Sequence, residues 1–200
     1  MVILGIDPGL NATGYGAITI EGRRFQVRTA GDIRPPRSKP LAERLEFLHR
    51  ALTELMIRQH PHTVVLEMVF THERYINTAA KMGHARGIAC LVAQQHHVPL
   101  VEYPPARVKQ ALTGHGAASK DQVARMVAQW VGGHDPSWSF DATDALALAI
   151  AHVHMARQQP LTSTTNRRAL RIADCGLRQT STTRSAIRHP TSEIPMGWNR

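Results

Sequence analysis

Four carboxylates stand where the chain could use them for chemistry. Asp7 ends the first apolar run, and Glu67 is the single charge inside a later apolar run. Asp141 and Asp144 lie three residues apart at the start of a segment rich in Ala and Leu, a spacing that puts both on one helix face. A buried carboxylate needs a cation, hydrogen bonds or a metal ion to stay charged. Carboxylate oxygens are typical ligands of Mg²⁺ or Mn²⁺ rather than of zinc.

This set of residue types is suited to phosphoryl transfer. Two divalent ions about 4 Å apart can bind the attacking water and the leaving oxygen of an in-line displacement. Lys109 and Lys120 are the basic residues expected near the carboxylates, where they would bind phosphate or offset developing charge. We therefore expect a Mg²⁺-dependent enzyme of phosphoryl transfer, such as a nuclease, with two Mg²⁺ ions per active site, for which Mn²⁺ can substitute.

The same residues have ordinary structural interpretations. Asp7 opens an Asp-Pro-Gly turn, and an aspartate at a strand end is commonly a turn cap. Asp141 and Asp144 would also suit a helix start, one as the cap and the other as a favourable charge at the helix dipole. Lys109 and Lys120 would serve equally as solvated helix lysines. The residues taken one at a time leave both interpretations open.

The apolar pattern predicts the elements that position these side chains. Apolar runs separated by turn residues predict an antiparallel meander of three strands, followed by alternating helices and strands. Ser119 and Gln122 form a capping box that begins one helix. The predicted strands are 2–7, 13–20, 24–33, 63–69 and 98–103, and the predicted helices are 41–58, 77–97, 104–112, 119–130 and 141–156.

This order of elements indicates an α/β protein with a ribonuclease H-like fold, in which helices flank a mixed five-stranded sheet. If the fourth strand lies beside the first and parallel to it, Asp7 and Glu67 meet at the same end of the sheet. That adjacency follows from the fold and not from residue spacing.

Composition favours a DNA-binding protein of the cytoplasm. The net charge of +9 and the pI near 10.5 favour a polyanionic partner. Eight of the 24 basic residues fall within 157–200, against two of the 15 acidic ones. We expect a nuclease domain over 1–157 and a mostly disordered Arg/Ser/Thr-rich tail over 158–200. The two cysteines suggest neither disulfides nor zinc, and no signal peptide or membrane span is predicted.

A segment after the Glu67 strand combines aromatic and basic residues. Phe70 and Tyr75 flank Arg74 there, and such residues beside a nuclease site can stack on bases or wedge into a duplex. An ordinary core phenylalanine is the alternative for Phe70.

The histidines form no convincing zinc-ligand spacing. His152 and His154 are two residues apart on a predicted helix and face different sides. His152 lies eight residues after Asp144 on the same predicted helix face, so it could contact the groups that surround that carboxylate.

Five segments, in this order and spacing, resemble the RuvC family of bacterial Holliday junction resolvases over about positions 2–156. The segments are Ile3 to Gly9 with Thr13 to Gly16, Glu67 to Phe70, Ala85 to Gly87, Glu102 to Gln110, and Asp141 to Ala147. Any one of them is a weak signal, whereas the five together are specific.

The resemblance implies roles for individual residues. Asp7, Glu67, Asp141 and Asp144 match the catalytic metal-binding positions, and Lys109 and Lys120 match the active-site basic positions. The substrate contacts are expected to include Phe70, Arg74, Tyr75 and Arg86.

The resemblance also implies an assembly and a reaction. The family acts as a homodimer on four-way junction DNA in recombination and repair, and it prefers certain short sequences. Two active sites would make paired symmetric nicks with 5′-phosphate and 3′-hydroxyl ends. The RuvA and RuvB branch-migration proteins are the expected partners.

Three positions depart from the family pattern. Met68 follows the catalytic glutamate where a polar residue is usual, His84 stands where glutamine is common, and Asn11 stands where a basic residue is frequent. These changes would alter DNA contacts or sequence preference and leave the metal ligands intact.

Three other functions compete with resolution of junctions. Another ribonuclease H-like enzyme, such as an RNA:DNA hybrid nuclease, would use the same carboxylates. An actin-like sugar kinase or ATPase also has an Asp-x-Gly loop after its first strand, but it needs a second such domain. A non-catalytic junction-binding function would account for the positive net charge but would give the four carboxylates no role.

Overall fold

The computed structural model describes residues 1–22, 24–68, 76–133 and 135–158, without the side chains of residues 76–79, 81 and 158. The predictions for Phe70, Arg74, Tyr75 and the tail beyond residue 158 lie outside the described residues. The elements are β1 (Val2–Asp7), β2 (Thr13–Glu21), β3 (Arg24–Ile33), α1 (Leu41–Gln59), β4 (Thr63–Glu67), α2 (Ile76–Gln95), β5 (Leu100–Tyr103), α3 (Pro105–Thr113), α4 (Lys120–Val131) and α5 (Phe140–Gln158).

The five strands form one mixed sheet in the order β3-β2-β1-β4-β5. The first three strands pair antiparallel, whereas β4 is parallel to both β1 and β5. This confirms the predicted meander, the mixed sheet and the position of the fourth strand beside the first.

Most element boundaries agree with the pattern within one or two residues, which is the usual uncertainty at element ends. Strand β4 ends at Glu67, two residues before the predicted end. Helix α2 ends at Gln95 rather than at 97, and His97 has a left-handed backbone with φ of 56°, which cannot continue a helix. The capping box of α4 is present, because Ser119 accepts from the Gln122 backbone and the Gln122 side chain accepts from the backbone of Ser119.

Helices cover both faces of the sheet, so that the central strands are buried on both sides. On one face Ile3, Ile18 and Val65 pack against α3, α4 and α5. On the other face Leu4 and Leu66 pack against α1 and α2. Successive residues of β1 therefore point into different cores, which explains why its sequence is apolar without alternation.

Helix α5 is the most deeply buried of the described helices. Its residues from 145 to 151 are all nearly inaccessible to solvent. A helix that is apolar all round belongs in a protein core or in a membrane. Among the described helices, none is both long enough and apolar enough to cross a bilayer.

Candidate active site

Asp7 and Glu67 meet at one edge of the sheet. They are the last residues of β1 and β4, and the parallel register sets Ile6 opposite Leu66 immediately before them. The carboxyl ends of adjacent parallel strands share an edge, so the two acidic side chains leave the sheet side by side. The adjacency expected from the fold is therefore present.

Two glycines let α5 approach this edge. A Cβ atom at Gly5 would lie 1.9 Å from the carbonyl oxygen of Ala145, and one at Gly14 would lie 2.0 Å from that of Asp141. No real side chain fits at either distance, so glycine is required there for the first two turns of α5 to rest on the strands. This contact brings Asp141 and Asp144 to the Asp7 end of the sheet.

A cavity of about 250 Å³ collects most of the predicted catalytic residues. Asp7 and Glu67 line it from the sheet, Asp144 from α5, Lys109 from α3 and Lys120 from the first turn of α4. The Lys120 Nζ lies 3.4 Å from Asp144 Oδ2 and forms an ion pair with it. Two strands and three helices thus place three carboxylates and two lysines around one space.

Asp141 lies at the margin of this arrangement. It lines a neighbouring cavity with Asn11 and Arg34, and the Arg34 guanidinium lies 4.0 Å from its carboxylate. Its charge nevertheless raises the pKa of Asp7. The structure therefore groups Asp141 with the other acids electrostatically but places it outside their shared cavity.

The carboxylates repel one another and are partly desolvated. Burial, then the charges of Glu67, Asp144 and Asp141, raise the pKa of Asp7 from 3.8 to about 7. Burial first and Asp144 second raise the pKa of Glu67, which Lys120 and Lys109 partly counteract. Burial and Asp32 raise the pKa of Asp141. A positive charge in the cavity would offset the repulsion among Asp7, Glu67 and Asp144.

This donor set fits a divalent metal ion in its chemistry. The acids offer oxygen atoms only, which is the ligand type of Mg²⁺ and Mn²⁺. Within the described part of the chain, no three carboxylate, histidine or cysteine side chains are gathered tightly enough to chelate one ion as they stand. The residues therefore match a hard cation such as Mg²⁺, which one or two carboxylates can hold when water and phosphate oxygens complete its coordination.

Ser139, rather than an aspartate, caps α5. Its Oγ accepts from the backbone N–H of Ala142 at 3.0 Å and donates to Asp32 Oδ1 of β3. Asp32 in turn accepts from Arg34 at 2.7 Å. Neither Asp141 nor Asp144 is therefore the cap, whereas Asp141 does lie in the first turn, where its charge is favourable to the helix dipole. No motif in the sequence indicates Ser139, Asp32 or Arg34 as residues of the site.

The turn after Asp7 is held by two further residues, Thr13 and Arg44, whose contacts are not predictable from the sequence pattern. Thr13 is fully buried, and its hydroxyl donates to the carbonyl of Gly9 at 2.7 Å. Arg44 of α1 donates to the carbonyl of Leu10 at 2.8 Å and to Asn11 Oδ1 at 3.1 Å. These bonds fix the turn, and with it the end of the strand that carries Asp7.

Two other predicted residues occupy defined positions. Arg86 of α2 forms an ion pair with Glu102 of β5, so it joins a helix to the edge strand. His152 is buried on α5, where its Nδ1 lies 2.9 Å from the Tyr103 hydroxyl, and burial lowers its pKa. His152 thus contacts Tyr103, the residue opposite Glu67 in the sheet.

Comparison with known proteins decides the family. The family model described as crossover junction endodeoxyribonuclease RuvC matches residues 3–152. The chain belongs to the RuvC family. RuvC of Halorhodospira halophila is 47% identical over 163 residues, which cover 82% of this chain and 95% of that protein. RuvC of Alkaliphilus oremlandii is 42% identical over 154 residues, covering 77% of this chain and 93% of that protein.

Solved RuvC structures share the fold. The structure of Thermus thermophilus RuvC matches with a TM-score of 0.73 at 34% identity and covers 78% of this chain and 96% of that one. A structure of T. thermophilus RuvC in complex with a Holliday junction substrate matches with the same TM-score at 33% identity, covering 78% and 95%. The yeast mitochondrial Holliday junction resolvase, at 13% identity and a TM-score of 0.57, shares the fold alone; the match covers 78% of this chain and 79% of that one.

Membership of the RuvC family distinguishes between the functions that the sequence had left open. It confirms the resemblance and the ribonuclease H-like fold, and it makes the chain a crossover junction endodeoxyribonuclease by family. The sugar kinase interpretation of the Asp7 turn is therefore wrong. The described residues also form one five-stranded sheet rather than the paired domains that such kinases need.

Proposed function

We propose that this protein resolves four-way DNA junctions as a metal-dependent endonuclease that makes paired, symmetric nicks during recombination and repair. The observation that carries the proposal is the cavity in which Asp7, Glu67 and Asp144 face Lys109 and Lys120. Solved RuvC with a Holliday junction substrate has the same fold, which supports a four-way junction as the substrate.

The four carboxylates are the proposed metal ligands. Asp7, Glu67, Asp141 and Asp144 would hold Mg²⁺, with two ions per active site and Mn²⁺ as a substitute. When bound, such ions act as Lewis acids on the phosphate and lower the pKa of the attacking water. The cation would also replace Lys120 as the principal partner of Asp144, since both compete for the same carboxylate.

The two lysines would act on the phosphate. Lys109 and Lys120 come from separate helices and line the same cavity as the strand-end carboxylates. Their ammonium groups would neutralise the scissile phosphate as it approaches the carboxylates, which otherwise repel it, and would stabilise the charge that develops on its oxygens. Cleavage would leave 5′-phosphate and 3′-hydroxyl ends that a ligase can seal.

The rest of the proposed assembly concerns partners and substrate contacts. The protein would act as a homodimer in the cytoplasm, with one active site for each of two symmetry-related strands, and would cooperate with RuvA and RuvB. Phe70, Arg74, Tyr75 and Arg86 would contact the junction. The arginines beyond residue 158 would add non-specific DNA affinity, so a chain ending at 158 should show a shallower salt dependence of binding.

Cleavage of three labelled substrates tests the proposed reaction. The full chain in Mg²⁺ is given a mobile four-way junction, a linear duplex of the same sequence and an RNA:DNA hybrid. We expect nicks at symmetric positions in the junction and none in the other two. Cleavage of the hybrid would favour a ribonuclease, and binding without cleavage would favour a junction-binding protein.

A further inference from the structure

A second cavity lies beside the active site, between α4 and the start of α5. It measures about 440 Å³, and its walls are largely apolar. Trp138 and Phe140 form its aromatic side, and Ala124 and Ala128 form part of the α4 side. Phe140 is 75% exposed, the highest exposure of any large hydrophobic side chain among the described residues. An exposed aromatic at the mouth of an apolar cavity is a feature that stability does not explain.

The first turns of two helices separate this cavity from the carboxylates. On α4, Lys120 lines the active site and the next residue, Asp121, lines the second cavity. On α5, Asp144 lines the active site and the preceding residue, Thr143, lines the second cavity. The two cavities therefore lie on different sides of the starts of α4 and α5.

We propose that this second cavity binds an unstacked nucleobase of the junction strand, next to the phosphate that lies at the carboxylates. The inference rests on the proposed function, because it needs a DNA strand across the active site. Phe140 would stack on the base, and Trp138 would form the apolar floor. Base stacking on aromatic side chains tolerates any base, since every base has a π-face.

Polar groups at the cavity match a nucleotide rather than a lipid or an apolar peptide. Arg125 lines the cavity and is exposed, so its guanidinium can pair with a backbone phosphate. The exposed Asp121 carboxylate also lines the cavity and offers hydrogen-bond acceptors to a base edge. An apolar slot with a few polar groups, next to a site that already selects phosphate, is complementary to a nucleotide.

Abasic substitution tests the occupant directly. All proteins carry Asp7→Asn so that the junction is not cut in Mg²⁺, and the Kd is measured for the full chain with and without Phe140→Ala. The junction is either intact or carries an abasic nucleotide at one of the positions that flank the mapped cleavage site. We expect Phe140→Ala to weaken binding of the intact junction by about fivefold to a hundredfold. At one abasic position this loss should vanish.

Three controls separate the proposal from its alternatives. Phe47→Ala removes an exposed phenylalanine from α1, on the other face of the sheet, and should leave the Kd unchanged. Phe140→Trp should restore binding of the intact junction. Because Phe140 is mostly exposed, circular dichroism should show that all variants fold.

The results have distinct meanings. No loss with Phe140→Ala, or an equal loss at every abasic position, would overturn the base-binding proposal. A change in sedimentation with Phe140→Ala would also overturn it and would indicate a contact between copies of the chain. The wild-type cleavage assay is independent of these measurements. If the wild type does not cut the junction, the proposed function is wrong. If it cuts the junction but the effect of Phe140→Ala does not depend on any one base, only the base-binding proposal is wrong.

Discussion

Replacing Asp7 with asparagine should stabilise the protein in the absence of divalent ions. The ordinary pKa of this carboxyl is 3.8, and burial together with the neighbouring acids raises it to about 7 in the folded protein. Because the folded state disfavours the ionised form, the destabilisation begins as the pH rises above 3.8 and is complete above about 7. An asparagine side chain at this position would have a similar shape and no charge to desolvate, so the variant escapes this loss.

The size of the effect follows from the pKa shift. One pKa unit corresponds to about 1.4 kcal/mol, so the shift from 3.8 to about 7 sets an upper limit of about 4 kcal/mol for the cost of ionising Asp7 in the fold. Protonation of Glu67 would relieve part of the repulsion, because Asp7 and Glu67 share the cavity. We therefore expect Asp7→Asn to raise the free energy of unfolding at pH 8 by about 2 to 4 kcal/mol, and to have little effect at pH 4.

Urea denaturation in EDTA, followed by circular dichroism at pH 4 and pH 8, measures this difference. Mg²⁺ at pH 8 should then stabilise the wild type more than the variant, because a cation that binds only the folded carboxylates shifts the equilibrium. Glu46→Gln, on the exposed side of α1, is the control and should change the free energy by less than about 0.5 kcal/mol. A variant no more stable than the wild type at pH 8 would refute the claim that Asp7 is an electrostatically strained group.

Three further predictions concern packing, capping and charge. Gly5→Ala would set a Cβ 1.9 Å from a backbone oxygen of α5, so we expect a loss of about 3 kcal/mol or more in urea denaturation. Gly83→Ala, where nothing lies within 4 Å, should instead stabilise α2 by up to about 1 kcal/mol. Ser139→Ala removes the α5 cap and should lower stability by about 1 kcal/mol; an unchanged midpoint would contradict the capping role. Lys120→Gln should slow junction cleavage by about 10²-fold in single-turnover assays, whereas Lys39→Gln, on an exposed ion pair, should not; equal rates would remove Lys120 from catalysis.

Local patterns were sufficient to predict most of the fold. Apolar runs and turn residues identify the five strands and five helices of the described chain, since these signals depend on neighbours in the sequence. The placement of Asp7 beside Glu67 needed one more step, because it followed from the ribonuclease H-like fold, in which the fourth strand lies beside the first and parallel to it. Two strands and three helices contribute to the cavity. Residue types alone left each charged side chain open to an ordinary structural role, and the resemblance to the RuvC family was needed to group them into one site.

The contacts that hold the site together could not be predicted in the same way. Ser139 bonds to Asp32 across 107 positions of the chain, and no periodicity reports such a pair. Gly5 lies in β1, where a glycine lowers the local preference for a strand. The reason for a glycine there is the close packing of α5 on β1, which the sequence does not show. Asp141 likewise lies outside the shared cavity and beside Arg34, a residue that directly follows β3 and is distant from Asp141 in the sequence.

The most direct test of the central claim compares cleavage and binding of a synthetic four-way junction by the wild type, Asp7→Asn and Glu67→Gln in Mg²⁺. We predict that the wild type makes symmetric nicks that a ligase can seal, and that both variants bind the junction without cutting it. Cleavage by either variant at the wild-type rate would contradict the claim that these carboxylates carry the reaction.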